Sequence, residues 1–253
     1  MITQRFHFDV VDSTNKKAKA MAEAGCASGT LVTADKQEAG VGRRGRSWSS
    51  EEGTGIYMSM VLRPQIEMNR ISSLTILAAM AVAKAFEKQG VLSEKTPCIK
   101  WPNDIVIHKK KICGILTELT LKGMEMDFVV IGIGINVTNQ NFPEEIAQTA
   151  SSILLETGIT IDKQQMITDV WEAFAHYYEI FLQTQDFTIL KEEYETYLIN
   201  NNQQVRVLDP AGEYEGIAVG IGNKGELIVK TEAGEKLVSS GEVLVRGIYG
   251  YVY

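Results

Sequence analysis

The chain has 253 residues, 45 % of them hydrophobic and 23 % charged, which excludes a disordered polymer and leaves room for one large domain or a medium and a small one. Its 25 Lys+Arg against 32 Asp+Glu give a formal net charge of -7, so the surface as a whole has no electrostatic reason to bind nucleic acid or an anionic membrane. The longest apolar stretch, from Ile71 to Ala83, is far short of the roughly 20 residues a membrane span needs, and the first residues lack the apolar run of a signal peptide. Cys26, Cys98 and Cys113 show no metal-ligand spacing, and their odd number fits a reducing, cytoplasmic compartment.

In chain order, a strand is expected from Phe6 to Val11, then several N-cap residues (Asp12, Ser13, Thr14, Asn15) before a short helix from Lys16 to Ala24 that Gly25 stops. Thr30 to Ala34 reads as a strand and Gly40 to Gly45 as a basic, glycine-rich loop. Ile56 to Leu62 alternates as a strand does until Pro64, and Ile71 to Gln89 is the clearest helix. Three strands follow, Cys98 to Trp101, Asp104 to His108 and Ile112 to Leu121, the last two joined tightly by Lys109, Lys110 and Lys111. Phe128 to Val137 is a β-branched run interrupted by Gly132 and Gly134. Helical patterns dominate from about Asp162 to Asn200, with a break near Asp186.

The texture changes after Asn202. Short strands are expected from Gln204 to Leu208, Tyr214 to Ile221, Glu226 to Thr231, Lys236 to Val238 and Glu242 to Val245, separated by Gly-rich turns. Five such strands suggest a small barrel, SH3-like in size. A boundary near residue 202 therefore divides a unit spanning 1–202 from one spanning 203–253. The first unit mixes strands and helices without βαβ alternation, which argues an α+β class rather than a doubly wound sheet.

Four segments carry chemistry. In Gln37 to Trp48, glycines at 40, 42 and 45 let backbone N–H groups converge on an anion while Arg43, Arg44 and Arg46 supply planar forks. Taken alone, that run reads equally as a solvated basic turn or a non-specific RNA contact. Lys100-Trp101-Pro102-Asn103-Asp104 is an extended-then-turn segment, by itself a structural turn around a buried tryptophan. Lys111 heads an apolar strand and can project an ammonium into a pocket or simply be solvated, and Gly114 permits close approach. Gly132 and Gly134 lie on one face of a strand, a flat floor for a planar ligand or for a bulky neighbour, and they lack the third glycine of a dinucleotide fingerprint.

In this order the segments resemble the biotin–protein ligase family, which shows a Ser-Thr-Asn triplet (here Ser13, Thr14, Asn15), a Gly-x-Gly-Arg-x-Gly-Arg-x-Trp loop (Gly40 to Trp48), Lys-Trp-Pro-Asn-Asp (Lys100 to Asp104), Lys-x-x-Gly-Ile-Leu (Lys111 to Leu116) and Gly-x-Gly-x-Asn (Gly132 to Asn136). The resemblance covers essentially the whole chain. It implies a mixed-sheet catalytic domain of the biotin/lipoate ligase, class II synthetase-like type, followed by an SH3-like domain. It also implies MgATP and biotin reacting to biotinyl-5′-adenylate, which then acylates a lysine of the biotin carrier domain of acetyl-CoA carboxylase or another biotin-dependent carboxylase.

By this resemblance Arg43 and Lys111 are catalytic. Ser13, Thr14, Asn15, Gln37, Gly40, Val41, Gly42, Gly114, Leu116 and Gly132 join them around biotin. Arg46, Trp48, Asn103, Asn136 and Arg246 face the nucleotide, and Asp104 is the metal candidate. Val41 stands where many members have arginine, which implies weaker retention of the intermediate. The triplet begins at Ser13, with no room before it for the winged-helix domain some members carry, so a ligase without a DNA-binding role is expected; a homodimer is left open.

The rivals are a lipoate or octanoate ligase or transferase on the related fold and a non-catalytic nucleotide- or RNA-binding module. The windows 36–46 and 95–111 hold nine of the 25 basic residues and only Glu38 and Asp104 as acids. Within an acidic chain, that is a concentrated site for small anions.

Overall fold

In the computed structural model, which describes residues 2–240 and 244–247, the chain begins with β1 (Gln4–Val11), turns into α1 (Thr14–Glu23) and returns as β2 (Thr30–Gln37). Helix α1 starts two residues earlier than expected because Ser13, in extended conformation, serves as its N-cap. Strand β3 (Gly55–Leu62) is buried along its whole length, being covered on both faces. Helix α2 (Ile71–Lys88), rich in alanine and uncharged over its first three turns, packs as a core helix and ends before Gly90 at φ 69°.

Strands β4 (Ile99–Lys100) and β5 (Asp104–Ile107) lead into the long hairpin of β6 (Lys110–Lys122) and β7 (Glu125–Asn136). The β5–β6 connection is shorter than the expected lysine triplet. His108 (φ 47°) and Lys109 (φ 69°) adopt the left-handed conformation of a two-residue hairpin, which returns Lys110 and Lys111 to the strand. A one-and-a-half-turn helix, α3 (Ile153–Thr157), precedes α4 (Lys163–Thr184) and α5 (Lys191–Tyr197).

The first sheet has the order β1-β2-β3-β7-β6-β5-β4, with β1 and β2 parallel and the remaining pairs antiparallel. Its inner face packs on α2 and α4 and forms the main core. The opposite face is covered only in part. Ala18 and Ala22 of α1 pack on Val32, Val61, Phe128 and Val130.

Directly opposed residues of antiparallel strands share a face, so the register writes out the rows of this face. One row runs Thr30, Val61, Val130, Glu118; the next Val32, Ser59, Gly132, Leu116; the third Ala34, Tyr57, Gly134, Gly114 and Asp104. The last two rows contain three glycines, so at those positions the sheet itself puts no side chain into the space just beyond the N-terminus of α1.

The second sheet comprises β8 (Gln203–Leu208), β9 (Tyr214–Ile221), β10 (Leu227–Thr231), β11 (Gly234–Val238) and β12 (Leu244–Gly247). These are antiparallel in the order β11-β10-β9-β8-β12. The expected start of the last strand, Glu242, lies outside the described residues. Several polar ties dock this sheet on the first unit. Trp101 Nε1 donates to the Gly225 carbonyl at 3.0 Å, the Ile221 N–H to Glu195 Oε1 at 2.9 Å, and the Phe187 N–H to the Asn223 carbonyl at 2.8 Å. Buried Trp101 thus acts as a strut between the two sheets. Among the described residues no helix is long and apolar enough to cross a membrane.

Candidate active site

The glycine-containing rows, the N-terminus of α1 and the glycine–arginine loop enclose one cavity. At the α1 end, Ser13 is 3 % exposed and makes no capping hydrogen bond, although Ser is a preferred cap. Its hydroxyl is left to the cavity, and the helix forgoes about 1 kcal/mol of capping. The Thr14 N–H donates to Gln37 Oε1 at 2.8 Å, and the Thr14 hydroxyl lies 3.1 Å from the same oxygen. Gln37 Nε2 in turn donates to Ser50 Oγ at 2.9 Å. Asn15 lies over Gly132, where a Cβ would come within 2.0 Å of Asn15 Oδ1, so only glycine fits that strand position. This end is polar and uncharged.

The loop itself closes as a small hairpin. The Gly42 N–H donates to the Arg46 carbonyl at 2.7 Å and the Trp48 N–H to the Gly40 carbonyl at 2.8 Å; Val41 pairs with Ser47. Arg43 is turned inward, donating to Asn103 Oδ1 at 3.0 Å and to the Ser240 carbonyl at 2.7 Å. Burial lowers its pKa below the ordinary guanidinium range, and nearby Asp104 opposes that shift. Trp48 folds back so that its indole lies on Gly134 and Gly114, at 2.7 and 2.8 Å from where their Cβ atoms would be. Its Nε1 has no hydrogen-bond partner among the described residues.

Lys111 reaches this floor because of a β-bulge. Across β5 and β6, Ile105 pairs with Cys113 but Val106 pairs with Lys111, so Ile112 is an extra residue. In a regular strand Lys111 and Gly114 would point to opposite faces; the bulge puts them on the same one. The Lys111 ammonium stands 2.7 Å from Asp104 Oδ1 and 5.3 Å from the centroid of the Trp48 ring. Lys100, opposite Asp104 in register, is 7 % exposed, and burial pushes its pKa down to about 8, helped by Lys111, Arg246 and Arg43 and opposed by Asp104. Asn103 is held by its own amide, Nδ2 donating to the Ile115 carbonyl at 3.1 Å.

The cavity wall thus contains Ser13, Thr14, Asn15 and Gln37 at one end and Val41, Gly42, Arg43, Trp48, Asn103 and Lys111 at the other, over a floor of Gly114, Leu116, Gly132 and Gly134. Five expected site residues are not on that wall. Gly40 closes the loop hairpin, its Cα facing the Trp48 carbonyl. Arg46 is on the solvent side of the loop turn. Asn136 is buried and donates to the Ser151 carbonyl at 2.9 Å, tying β7 to a segment whose residue 150 pairs with Lys111. Asp104 sits behind Lys111 as its counter-ion. Arg246 is exposed on β12, close enough to Lys100 to act on its charge.

Among the described residues, the one group of three possible metal ligands is His7, Asp9 and Asp35, exposed on the β1–β2 edge away from the cavity. Sequence reasoning named Lys100 only as the head of the Lys-Trp-Pro-Asn-Asp segment, with no role of its own, and did not single out Ser59 or Glu118, which sit in strand positions carrying no turn or loop signal.

A partly covered mixed sheet with a polar pocket at a helix N-terminus and cationic groups beside it is the frame of an enzyme domain whose site suits a neutral polar group at one end and anions at the other. Residues 7–136 match the model of the biotin/lipoate A/B protein ligase family, and residues 202–246 match that of the biotin protein ligase C terminal domain. The chain is 38 % identical over 239 residues to the bifunctional ligase/repressor BirA of Bacillus subtilis (strain 168), covering 94 % of this chain and 72 % of that protein. It is 30 % identical to the biotin–acetyl-CoA-carboxylase ligase of Paracoccus denitrificans, covering 93 % of this chain and 98 % of that one.

Among solved structures, biotin protein ligase from Aquifex aeolicus in complex with biotin and ATP superimposes with a TM-score of 0.85 at 30 % identity, covering 97 % of this chain and 100 % of that one. The chain belongs to the biotin/lipoate A/B protein ligase family and, within it, to the biotin protein ligases.

Proposed function

We propose that the protein joins biotin to one lysine of a biotin carrier domain, with ATP, through biotinyl-5′-adenylate. One observation carries this reading: a single cavity has uncharged hydrogen-bonding groups at its α1 end and cations at its loop end. Biotin has the matching polarity, a cyclic urea at one end and a carboxylate at the other. Ser13, Thr14 and Gln37 bind the urea, and Arg43 and Lys111 take the carboxylate together with the α-phosphate of ATP.

In the first step a carboxylate oxygen bonds to the α-phosphorus and the bond to the β-phosphate bridging oxygen breaks, releasing pyrophosphate. Holding the two anions together is the main barrier, and fixed cations in a site shielded from water lower it. In the second step the carrier lysine amine attacks the acyl carbon and AMP leaves with the bonding electrons. No enzyme nucleophile is required.

Magnesium would arrive on the ATP phosphates, whose oxygens it prefers. Asp104, the carboxylate beside Lys111, is the residue that fits it. Trp48 covers the nucleotide base, and Arg246 adds charge from the second sheet. The carrier is that of acetyl-CoA carboxylase, in keeping with the name of the Paracoccus relative. The three free cysteines suit a cytoplasmic enzyme.

The test is biotin-dependent exchange of labelled pyrophosphate into ATP, followed by transfer to an acetyl-CoA carboxylase carrier domain. Exchange with lipoate and not with biotin would overturn the reading.

A further inference from the structure

Beyond the groups that touch substrate, an exposed carboxylate on the neighbouring row sits at the end of a hydrogen-bond chain that runs beneath the urea end of the cavity. Glu118 Oε2 accepts from Asn15 Nδ2 at 2.7 Å, and the Leu116 carbonyl lies 3.4 Å from the same nitrogen. Asn15 Oδ1 is 2.6 Å from Ser59 Oγ, which is 2.8 Å from Thr14 Oγ1. Thr14 Oγ1 is 3.1 Å from Gln37 Oε1. Ser59 is fully buried between these partners.

We infer that Glu118 sets the direction of this chain and so decides which atoms of the cavity floor accept and which donate. It is a positioning residue for recognition of the cyclic urea, and the inference rests on the proposed biotin ligation. A carboxylate can only accept, so Asn15 must turn its NH2 toward Glu118 and its Oδ1 toward Ser59 and the bare position over Gly132. An amide oxygen can only accept, so the one Ser59 proton goes to it. With the Ser59 proton on Asn15, the Thr14 hydroxyl donates its own single proton to Ser59 Oγ, and Gln37 Oε1 is left to accept from the Thr14 N–H.

With a group at 118 that can also donate, the amide of Asn15 can rotate. Nδ2 then faces Ser59, the Ser59 proton turns to Thr14, and the pattern inverts along the chain. A cyclic urea presents two N–H donors flanking one carbonyl acceptor, so a floor of inverted polarity sets donor against donor. A ring without hydrogen-bonding groups would be indifferent to this change. The fixed direction therefore selects the urea.

The experiment compares wild type, E118Q, S59A and the double variant by calorimetric titration with biotin and by biotin and ATP dependence of pyrophosphate exchange. Gln at 118 keeps the shape but offers either an acceptor or a donor. Expected is an approximately tenfold loss of biotin affinity in E118Q, the loss of one hydrogen bond's worth of free energy. The KM for biotin rises in step, while that for ATP moves by less than about twofold.

S59A interrupts the relay, so adding E118Q to it weakens biotin binding little further. Unchanged biotin affinity in E118Q, equal effects on both substrates, or losses that multiply in the double variant would each overturn the inference. Wild type that bound no biotin at all would overturn the functional reading, and this inference with it.

Discussion

Arg43 joins the glycine–arginine loop to the segment that follows β11, its guanidinium donating to the Ser240 carbonyl at 2.7 Å while its other terminal nitrogen donates to Asn103 Oδ1 at 3.0 Å. The residue expected to hold the reacting anions thus also bridges elements 197 residues apart in sequence. Arg43→Ala removes both roles. Charge-assisted hydrogen bonds contribute roughly 1.5–3 kcal/mol each, so release of biotinyl-5′-adenylate should be about 10- to 100-fold faster, as read by chasing labelled intermediate off the enzyme. Arg43→Lys keeps the charge but not the fork and should recover only part of the loss. An off-rate unchanged in R43A would remove Arg43 from the anion site.

Lys111 is placed by the bulge and held by Asp104 at 2.7 Å. Lys111→Ala should lower the rate of adenylate formation by at least about a hundredfold, since it deletes a cation aimed at the developing charge. It should leave urea-end recognition, and so biotin affinity, much less affected. Asp104→Asn leaves Lys111 without its counter-ion but keeps a hydrogen-bonding partner. Its expected effect is a smaller fall in adenylation, roughly tenfold. If stopped-flow measurement of adenylation finds D104N slower than K111A, Asp104 acts directly on the nucleotide or its metal and not through Lys111.

The loop, the Trp-Pro turn and the five closing strands were legible because glycine, proline and turn residues mark them locally. Lys111 was legible as a candidate but its direction was not. The extra residue Ile112 looks like any other apolar strand position, and only pairing with β5 shows that it reverses the face. Helix α3 spans five residues, too few for a helical period to emerge.

Ser59 sits in a strand that reads simply as alternating and Glu118 in one that reads as apolar, and their contacts with Asn15 span 44 and 103 residues. Asn136, expected to face the nucleotide, spends its amide NH2 on the Ser151 carbonyl, in a segment that no sequence pattern placed beside it. The expected flat glycine floor is present, and Trp48 of the same chain lies on it.

That placement of Trp48 makes it a reporter. Of the three tryptophans, Trp101 and Trp171 are each 1 % exposed and packed in the core, whereas Trp48 lies over the site with an Nε1 that has no partner among the described residues. A nucleotide base arriving on the Gly114–Gly134 floor must displace or restack the indole. Adding ATP and biotin should therefore change tryptophan emission in wild type and leave it unchanged in Trp48→Phe. Gly134→Ala, whose Cβ would meet the ring at 2.7 Å, should shift the emission before any ligand is added and weaken nucleotide binding. Persistence of the ligand response in W48F would place the base elsewhere.

Lys100 supplies the pH test. Burial holds its pKa at about 8 against an ordinary 10.5, so between these values the folded protein binds fewer protons than the unfolded chain. The destabilisation from burying this charge is full below about pH 8 and is relieved as pH rises toward 10.5. Lys100→Met should accordingly raise the folding stability measured at pH 7 relative to wild type, and the gain should shrink as pH approaches 10. An anion bound beside Lys100 favours its charged form and raises the pKa again, so binding biotinyl-5′-adenylate near pH 8 should take up a fraction of a proton. Calorimetric titrations in buffers of different ionisation enthalpy measure that uptake directly. K100M should abolish it, whereas K109M, a change in the exposed β5–β6 turn, should not. Equal uptake in wild type and K100M would assign the proton to another group and leave Lys100 outside the anion's reach.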